Sequence, residues 1–292
     1  MIFTIENDRG EELELDLYKS HQSNLVITSV NGLGPPSASI KYMELGSVDG
    51  VKVTHRVISS RNIVFTIAIV DNVELERMRL YNYFRVKSNI KITVKNTYRN
   101  AYIYGYVESN EVDIFSERVT CNISIMCPDP YFYDVNAKHL LCTTVTPSFE
   151  IPFENTHPTE KTIVMGEHTS TNIIDFTYDG DESSGVIFKL YMLNDVNGLK
   201  VFNLNKNQVL NVNIPLNSGD VLVIDSNKGS KSATLYRNSI ETNVLYSVSG
   251  TWVEVNSGEN TIGFEYTHEI QNDYIYGDVD MEILFKVKYE GV

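Results

Sequence analysis

The chain has 292 residues, 42% hydrophobic and 21% charged, so it can form two globular domains and is neither disordered nor fibrous in composition. Its net charge of −14 is uneven: residues 1–127 have 14 basic and 15 acidic side chains, whereas residues 128–292 have 10 and 23. The acidic second half disfavours nucleic-acid binding, because contacts with phosphate need a basic surface.

The first half alternates between apolar and polar residues in short runs, which is the pattern of half-buried strands. Strands are predicted over residues 2–5, 12–17, 25–30, 51–57, 63–70, 90–95 and 101–107. Turns are predicted at 8–10, 31–36 and 96–100, where glycine, proline, asparagine and aspartate cluster. In the second strand, Leu13, Leu15 and Leu17 are expected to face the core.

One helix is predicted after residue 71. Asp71 is expected to cap it, and Glu74 would complete a carboxylate version of the capping box. Its predicted apolar face consists of Val73, Leu80, Tyr81 and Phe84, at spacings i, i+7, i+8 and i+11. Two predicted ion pairs, Glu74–Arg77 and Glu76–Arg79, would each add about 0.2–0.5 kcal/mol.

A strongly alternating strand at residues 118–127 closes the first domain. Cys121 and Cys127 fall on its apolar face, and Pro128 and Pro130 end it, because proline lacks an N–H and has a fixed φ. We place the end of the first domain here.

The three cysteines indicate free thiols rather than a disulfide framework. Cys121 and Cys127 would lie ~20 Å apart on an extended strand, too far to be bridged. We therefore expect buried thiols in a protein made in a reducing cytosol. No signal peptide is recognised, and no apolar run approaches the ~20 residues of a membrane span, so membrane insertion is not expected.

The second half shows no helical period. Strand-like runs occupy residues 172–178, 186–193, 209–214, 220–225, 233–236, 247–255, 260–266 and 279–289. Turn signals separate them at 179–181, 197–198, 217–219 and 256–258. Short strands separated by such turns are typical of a β-sandwich or jelly roll.

Few side chains are arranged like a metal site. Asp278, Asp280 and Glu282 share a face of the last predicted strand and could bind a divalent cation. Lys286 and Lys288 follow on that face, which favours a solvated surface. The six histidines, which have no metal-ligand spacing, are His21, His55, His139, His157, His168 and His268.

Three other segments point only weakly to a function. Residues 179–185 begin like a calcium loop, but the sixth position is not glycine and the twelfth is Leu190. Ser88 and Lys91 match S-x-x-K without its companion motifs. Trp252 could stack on a sugar, but its alternation with polar neighbours favours a core position. No catalytic, cofactor-binding or metal-binding residues are predicted.

Several short segments, taken in order, resemble the distal tail protein family of long-tailed, siphovirus-type bacteriophages and their prophage equivalents. In the first half they are 31–36 (NGLGPP), 79–84 (RLYNYF), 104–109 (YGYVES) and 123–132 (ISIMCPDPYF). In the second half they are 153–160 (FENTHPTE), 250–252 (GTW) and 258–262 (GENTI). The segments are short, and their order and spacing over nearly the whole chain carry the resemblance.

The resemblance implies a mainly β protein with two domains. A β-barrel-like, ring-forming domain with one α-helix and a β-hairpin would span residues 1–134. A linker would cover 135–149, between Asp134 and Glu150, and a galectin-like β-sandwich would span 150–292.

The implied role is structural and not enzymatic. A homohexameric ring at the virion's tail tip or baseplate would join the tail tube to the host-adsorption apparatus, after assembly in the host bacterial cytoplasm. Implied partners are the chain itself, the tail tube protein, a tail-tip hub protein, receptor-binding or adhesion proteins, and host-surface carbohydrate.

Two functions from other classes stay open. The chain could be a carbohydrate-binding module of a cell-wall-binding protein, which glycan binding by the second domain would favour. It could also be a jelly-roll esterase or glycosidase, because sandwich glycosidases often carry no local motif.

Overall fold

A computed structural model describes residues 1–17, 24–46, 49–147, 166–170, 172–266 and 278–292. The chain divides into two compact units, one formed by Met1–Val135 with Lys288–Val292 and the other by Asn136–Val287. The first unit therefore contains the segment Lys288–Val292, which the sequence placed in the second domain. His21, His157, His268 and the motif at 153–160 lie outside the described residues.

Among its described residues, the first unit contains a nine-stranded sheet, a separate hairpin and one α-helix, α1 (Val73–Tyr83). Its first ten strands are β1 (Ile2–Glu6), β2 (Glu12–Asp16), β3 (Leu25–Asn31), β4 (Ala38–Glu44), β5 (Val51–Ile58), β6 (Arg61–Ile69), β7 (Asn89–Lys95), β8 (Asn100–Asp113), β9 (Thr120–Cys127) and β10 (Phe132–Asp134). The sheet runs β2-β1-β7-β8-β9-β6-β3, and β10 pairs with β8. All of these pairings are antiparallel.

The core of the first unit follows the predicted alternation. Leu13 and Leu15 are buried, as are Cys121 and Cys127, whereas Leu17 is exposed because β2 ends at Asp16. Packing on this face includes an edge-to-face contact between Phe3 and Phe65, whose ring centroids are 5.4 Å apart. The two-residue period thus predicts which face of each strand is buried.

The helix forms where predicted but begins and packs differently. Asn72, not Asp71, is the N-cap, with φ at 51° and no side-chain cap bond, while the Asp71 carboxylate accepts from the Asn72 N–H at 2.8 Å. The buried face includes Leu80 and Phe84 but takes Tyr83 instead of Tyr81. Both predicted ion pairs are present, Glu74–Arg77 at 2.5 Å and Glu76–Arg79 at 3.4 Å.

The second unit contains two larger sheets. Its strands are β11 (Lys138–Leu141), β12 (Thr143–Pro147), β13 (Gly166–Ser170), β14 (Ile173–Tyr178), β15 (Ser184–Met192), β16 (Val196–Asn203), β17 (Gln208–Leu216), β18 (Val221–Asp225), β19 (Ser232–Arg237), β20 (Ile240–Asn243), β21 (Val248–Gly250), β22 (Glu254–Val255), β23 (Gly258–Tyr266) and β24 (Val279–Phe285). One sheet runs β11-β24-β15-β18-β19-β20, with β22 also on β15, and the other runs β14-β23-β16-β17-β21. Short 3-10 turns occupy Leu204–Lys206 and Leu245–Ser247.

The two sheets pack face to face as a β-sandwich, which confirms the predicted fold class. Phe176 and Tyr178 of β14 contact Phe285 of β24, with ring centroids 5.3 and 5.7 Å apart. The turn predicted at Asn197-Gly198 is wrong, because both residues lie in β16 at a bulge opposite β17.

The strand predicted over 279–289 is interrupted. β24 ends at Phe285, and β25 (Lys288–Tyr289) belongs to the first unit, where it pairs with β10. Lys288, expected to be exposed, is buried. The chain therefore leaves and re-enters the first unit through adjacent strands.

Candidate self-assembly surface

The β4–β5 hairpin is separate from the three larger sheets. Within the described residues, its strands pair with each other and with no other strand, from Ala38 opposite Ile58 to Glu44 opposite Val51. Every residue of β4 and all of β5 except Ile58 is exposed. The sequence predicted β5 but not β4, which is exposed at every position and therefore lacks an alternation between buried and exposed residues. A bulge next to Tyr42 leaves Thr54 of β5 as the extra residue.

One face of the hairpin carries a stripe of valine with a tyrosine. Tyr42 lies opposite Val53, and Val51 points to the same side of β5 as Val53. Their exposed fractions are 63% for Tyr42, 50% for Val51 and 48% for Val53. This face is apolar and lies open in the single chain.

The other face combines apolar and basic side chains. Met43 lies opposite Lys52, and Val57 lies opposite Ser39 on the same face, because the bulge between Lys41 and Tyr42 shifts the register. Met43 and Val57 are 53% and 43% exposed. Because both faces are apolar in part, neither can serve as an ordinary solvated outer face.

An isolated two-stranded hairpin is at best marginally stable in water, and contiguous exposed apolar patches commonly mark protein interfaces. A hairpin of this length with apolar residues on both faces is therefore expected to be covered in the functional state. The exposed arrangement indicates a contact surface for another polypeptide.

The base of the hairpin is fixed by residues of β6 and the preceding turn. Gly32 has φ near +90°, and a Cβ there would lie 2.2 Å from the Asn62 carbonyl oxygen, so only glycine fits. The Arg61 guanidinium donates to the carbonyls of Gly32 and Gly34, each at 2.7 Å. These hydrogen bonds and this close packing hold the base of the hairpin in place at the β3 edge of the sheet.

Arg61 is nearly fully buried at 4% exposure. Its Nε donates to the Pro130 carbonyl at 2.8 Å, and Nη2 donates to the carbonyl of Glu290. Burial lowers the pKa of its guanidinium, and the charge of the Glu290 carboxylate acts in the opposite direction. One side chain therefore joins the hairpin base, the exit from β9 and the segment Lys288–Val292.

Helix α1 has a second, outward apolar side. Leu75 and Met78, one turn apart, are 66% and 52% exposed. On the inward side, the Tyr83 hydroxyl donates to the Glu11 carbonyl at 2.6 Å and anchors the helix to the β1–β2 turn. The helix is therefore rigidly placed and leaves Leu75 and Met78 open for contact.

The outer face of the first unit's sheet is a further apolar surface. Tyr104 and Tyr106 of β8 are 52% and 45% exposed, and Met126 of β9, which lies opposite Tyr106, is 37% exposed. Tyr104 and Tyr106 alternate along β8 with Ile103 and Val107, which are buried.

The acidic residues considered for a metal site are not a common exposed face. Asp278 is fully buried, and its carboxylate accepts from the Asn194 amide at 2.6 Å, so the predicted solvated position is wrong. Glu282 lies 3.5 Å from His139 of β11. Among the described residues, no group of three or more His, Cys, Asp or Glu side chains is arranged to hold a metal ion.

Two other residues considered as functional candidates, Trp252 and Ser88, are also placed by the structure. Trp252 is half-buried with Lys231 Nζ 5.4 Å from its ring centroid, and Val253 takes the core position instead. Ser88 donates to the Arg85 carbonyl at 2.6 Å at the junction of α1 and β7, which is a structural role.

The cysteines are free and buried, as predicted. Burial raises the pKa of the thiols of Cys121, Cys127 and Cys142 to about 12. These thiols are therefore protonated at neutral pH and unsuited to act as nucleophiles. No helix in the described part of the chain has the length and hydropathy of a membrane span.

Comparison with known proteins confirms the resemblance. Residues 179–276 match the family model described as siphovirus-type tail component, C-terminal domain. This match lies in the second unit and covers less than half of the chain. The search of curated proteins finds no match.

Solved structures extend the likeness to the whole fold. The Dit protein of phage SPP1, described as a paradigm of the hub adsorption apparatus in phages that infect Gram-positive bacteria, aligns with a TM-score of 0.65. The identity is 14%, and the alignment covers 99% of each chain. A chain of the phage P2 baseplate in its activated conformation aligns with a TM-score of 0.46 at 11% identity, over 100% of this chain and 99% of that one.

Proposed function

We propose that this protein is a structural, non-enzymatic subunit of a long-tailed phage tail tip or baseplate. The observation that carries the proposal is the β4–β5 hairpin, which is apolar on both faces and exposed along nearly its full length. The likeness of the whole fold to a phage tail hub protein supports it.

In this proposal, copies of the first unit close into a six-membered ring. A cyclic ring is built from one heterologous contact, in which a surface of each copy meets a different surface of the next. The hairpin is one such surface, and the exposed sides of α1 and of the β8–β9 sheet face are available as the other. Residues 1–127 have 14 basic and 15 acidic side chains, so their net charge is close to zero. Copies of this region therefore repel one another little and can associate closely.

The remaining partners follow from the position of a ring in a tail. The ring would join the tail tube protein to a tail-tip hub protein in the virion, after assembly in the host cytoplasm. The second unit would serve as a dock for receptor-binding or adhesion proteins and for host-surface carbohydrate. With 10 basic and 23 acidic residues, residues 128–292 suit a basic partner, through an attraction that salt would weaken.

Negative-stain electron microscopy of the purified full-length protein tests this proposal. We expect closed particles with six-fold symmetry in class averages at micromolar protein concentration. Particles of single-chain size at all concentrations tested would overturn it.

A further inference from the structure

The segment Lys288–Val292 belongs to the first unit, although it follows the whole second unit along the chain. It lies against residues 32–34, which form the base of the β4–β5 hairpin. We propose that this segment is a latch that fixes the direction of the hairpin, so that the hairpin becomes a defined contact surface only after the second unit has been synthesised. The consequence for assembly rests on the proposed ring, whereas the effect of the latch on the hairpin does not.

The latch packs against the backbone of the hairpin base. The Val292 N–H donates to the Leu33 carbonyl at 3.1 Å. A Cβ on Gly291 would lie 3.0 Å from that carbonyl oxygen and 3.2 Å from the carbonyl carbon of Gly34, so the two backbones run in close contact. The base therefore cannot move toward the latch, and the hydrogen bond opposes movement away from it.

The buried guanidinium of Arg61 binds the latch and the base together. Its Nη1 donates to the carbonyls of Gly32 and Gly34, each at 2.7 Å, and its Nη2 donates to the carbonyl of Glu290. A buried charged donor needs acceptors, so loss of the Glu290 carbonyl would leave part of this guanidinium unsatisfied. Release of the latch is therefore expected to weaken the hold of Arg61 on the hairpin base.

The latch itself is anchored by groups outside the hairpin. The Arg99 guanidinium donates to the Gly291 carbonyl, and its Cζ lies 4.2 Å from the centroid of the Tyr289 ring. The Tyr289 hydroxyl donates to the Asp134 carboxylate at 3.0 Å, and its backbone pairs with Phe132 of β10. These contacts attach the latch to the nine-stranded sheet, because Arg99 directly precedes β8 and β10 pairs with β8.

The connections between the base and the hairpin are short and stiff. Pro35 and Pro36, whose rings fix φ, lead from Gly34 toward β4. On the other strand, only residues 59 and 60 separate β5 from Arg61. The direction of the base is therefore carried into the hairpin.

The order of the chain makes the latch a late element. Residues 1–135 leave the ribosome before residues 136–287, and the latch follows both. Until the latch docks, the base lacks its contacts with Glu290 and Val292, and the hairpin has no fixed direction. A chain that stops within the second unit would therefore stay out of the ring, so each ring would consist of chains that carry a second unit.

The test is a distance measurement by double electron–electron resonance on the full-length protein. Spin labels are attached at Lys41→Cys in β4 and Lys95→Cys in β7, both at exposed positions. The native thiols are buried, with pKa values raised to about 12, so they stay unlabelled. All samples also carry Val53→Asp, which keeps the chains single and removes distances between copies.

The latch is loosened by Arg99→Met or by Tyr289→Ala. The matched controls are Arg118→Met and Tyr98→Ala, at exposed positions of the same unit. We expect a narrow distance distribution with the unmodified latch and in the controls, and a distribution about twofold wider in both latch variants. Either latch variant that keeps its circular dichroism decides the comparison, and equal widths in all samples would overturn the inference. Loss of the β-sheet signal in both latch variants would overturn it too, because the segment would then be needed for folding rather than for the direction of the hairpin.

Native mass spectrometry of the same variants without Val53→Asp tests the consequence for assembly. We expect six-copy assemblies to be about tenfold less abundant in the latch variants than in the two controls, because the hairpin must be ordered before it binds. Equal abundance would overturn the link between the latch and assembly. Single chains in every sample, including the unmodified protein, would refute the ring and this link, and the distance widths would then decide the role of the latch by themselves.

Discussion

Replacement of Arg61 tests the structural account of the first unit most sharply. Its guanidinium donates to four backbone carbonyls from three separate parts of the chain, and no carboxylate neutralises it among these contacts. Its Cζ also lies 4.7 Å from the centroid of the Phe132 ring. Arg61→Met removes all of these interactions but keeps much of the aliphatic stem.

The magnitude follows from the number of bonds and their burial. A hydrogen bond with a charged partner contributes about 1.5–3 kcal/mol, and the cation–π contact about 0.5–2 kcal/mol, but such terms are not additive. Because the loop carbonyls can regain water, we expect Arg61→Met to lower the free energy of unfolding by about 3–5 kcal/mol. Arg61→Lys should lower it by roughly half as much, since an ammonium cannot reach all four carbonyls.

The assay is equilibrium urea unfolding followed by far-UV circular dichroism at one fixed protein concentration, because assembly would add concentration-dependent stability. The fluorescence of Trp252, the only tryptophan, follows the unfolding of the second unit in the same samples. The control is Arg118→Met, an exposed arginine of the same unit, which should change stability by less than about 0.5 kcal/mol. An Arg61→Met variant as stable as this control would refute the reasoning.

Two further predictions concern the core. Gly105→Ala should destabilise the first unit by about 1–3 kcal/mol, because its Cβ would lie 2.6 Å from Ile125 Cγ2 and 2.8 Å from Cys127 Sγ. Gly34→Ala, which meets no atom within 4 Å, is the control in the same urea assay, and equal stabilities would contradict the packing. The buried thiols have pKa values raised to about 12, so unfolded chains lose these protons first, above pH ~8.5. Their contribution to stability is complete below that pH and declines toward pH 12. Iodoacetamide at pH 8 should label them only in urea, and rapid labelling of the native protein would contradict their burial.

The sequence predicted the strands and their buried faces well where one face meets the core. The β9 strand is an example, because Cys121 and Cys127 sit on the expected side and Pro128 ends it as expected. Two-residue alternation is a local property and survives without tertiary context.

The hairpin could be predicted only in part because its alternation does not separate a core face from a solvent face. β4 is exposed throughout, so burial imposes no pattern on it, and its bulge shifts the register near Tyr42. An unusual density of exposed valine, isoleucine and tyrosine was the available signal. It identifies an interface only once the structure shows that these residues are open.

Long-range contacts caused the other differences. Lys288 and Tyr289 continue the alternation of β24, and only their pairing with β10 shows that they belong to the first unit. Asn197-Gly198 reads as a hairpin turn, but tertiary pairing with β17 makes it a bulge within β16. Local propensity cannot distinguish these outcomes.

Native mass spectrometry tests most directly whether the hairpin is a subunit contact in a six-membered ring. It compares the unmodified full-length protein with the Val53→Asp variant, which changes the hairpin. The control is Ile240→Asp, another exposed aliphatic residue on a strand, at 66% exposure in the second unit. A buried unpaired carboxylate at a subunit contact is strongly unfavourable, so the account predicts six-copy assemblies for the unmodified protein and the control, and single chains for Val53→Asp. Assemblies of equal size in all three proteins, or single chains in all three, would contradict it.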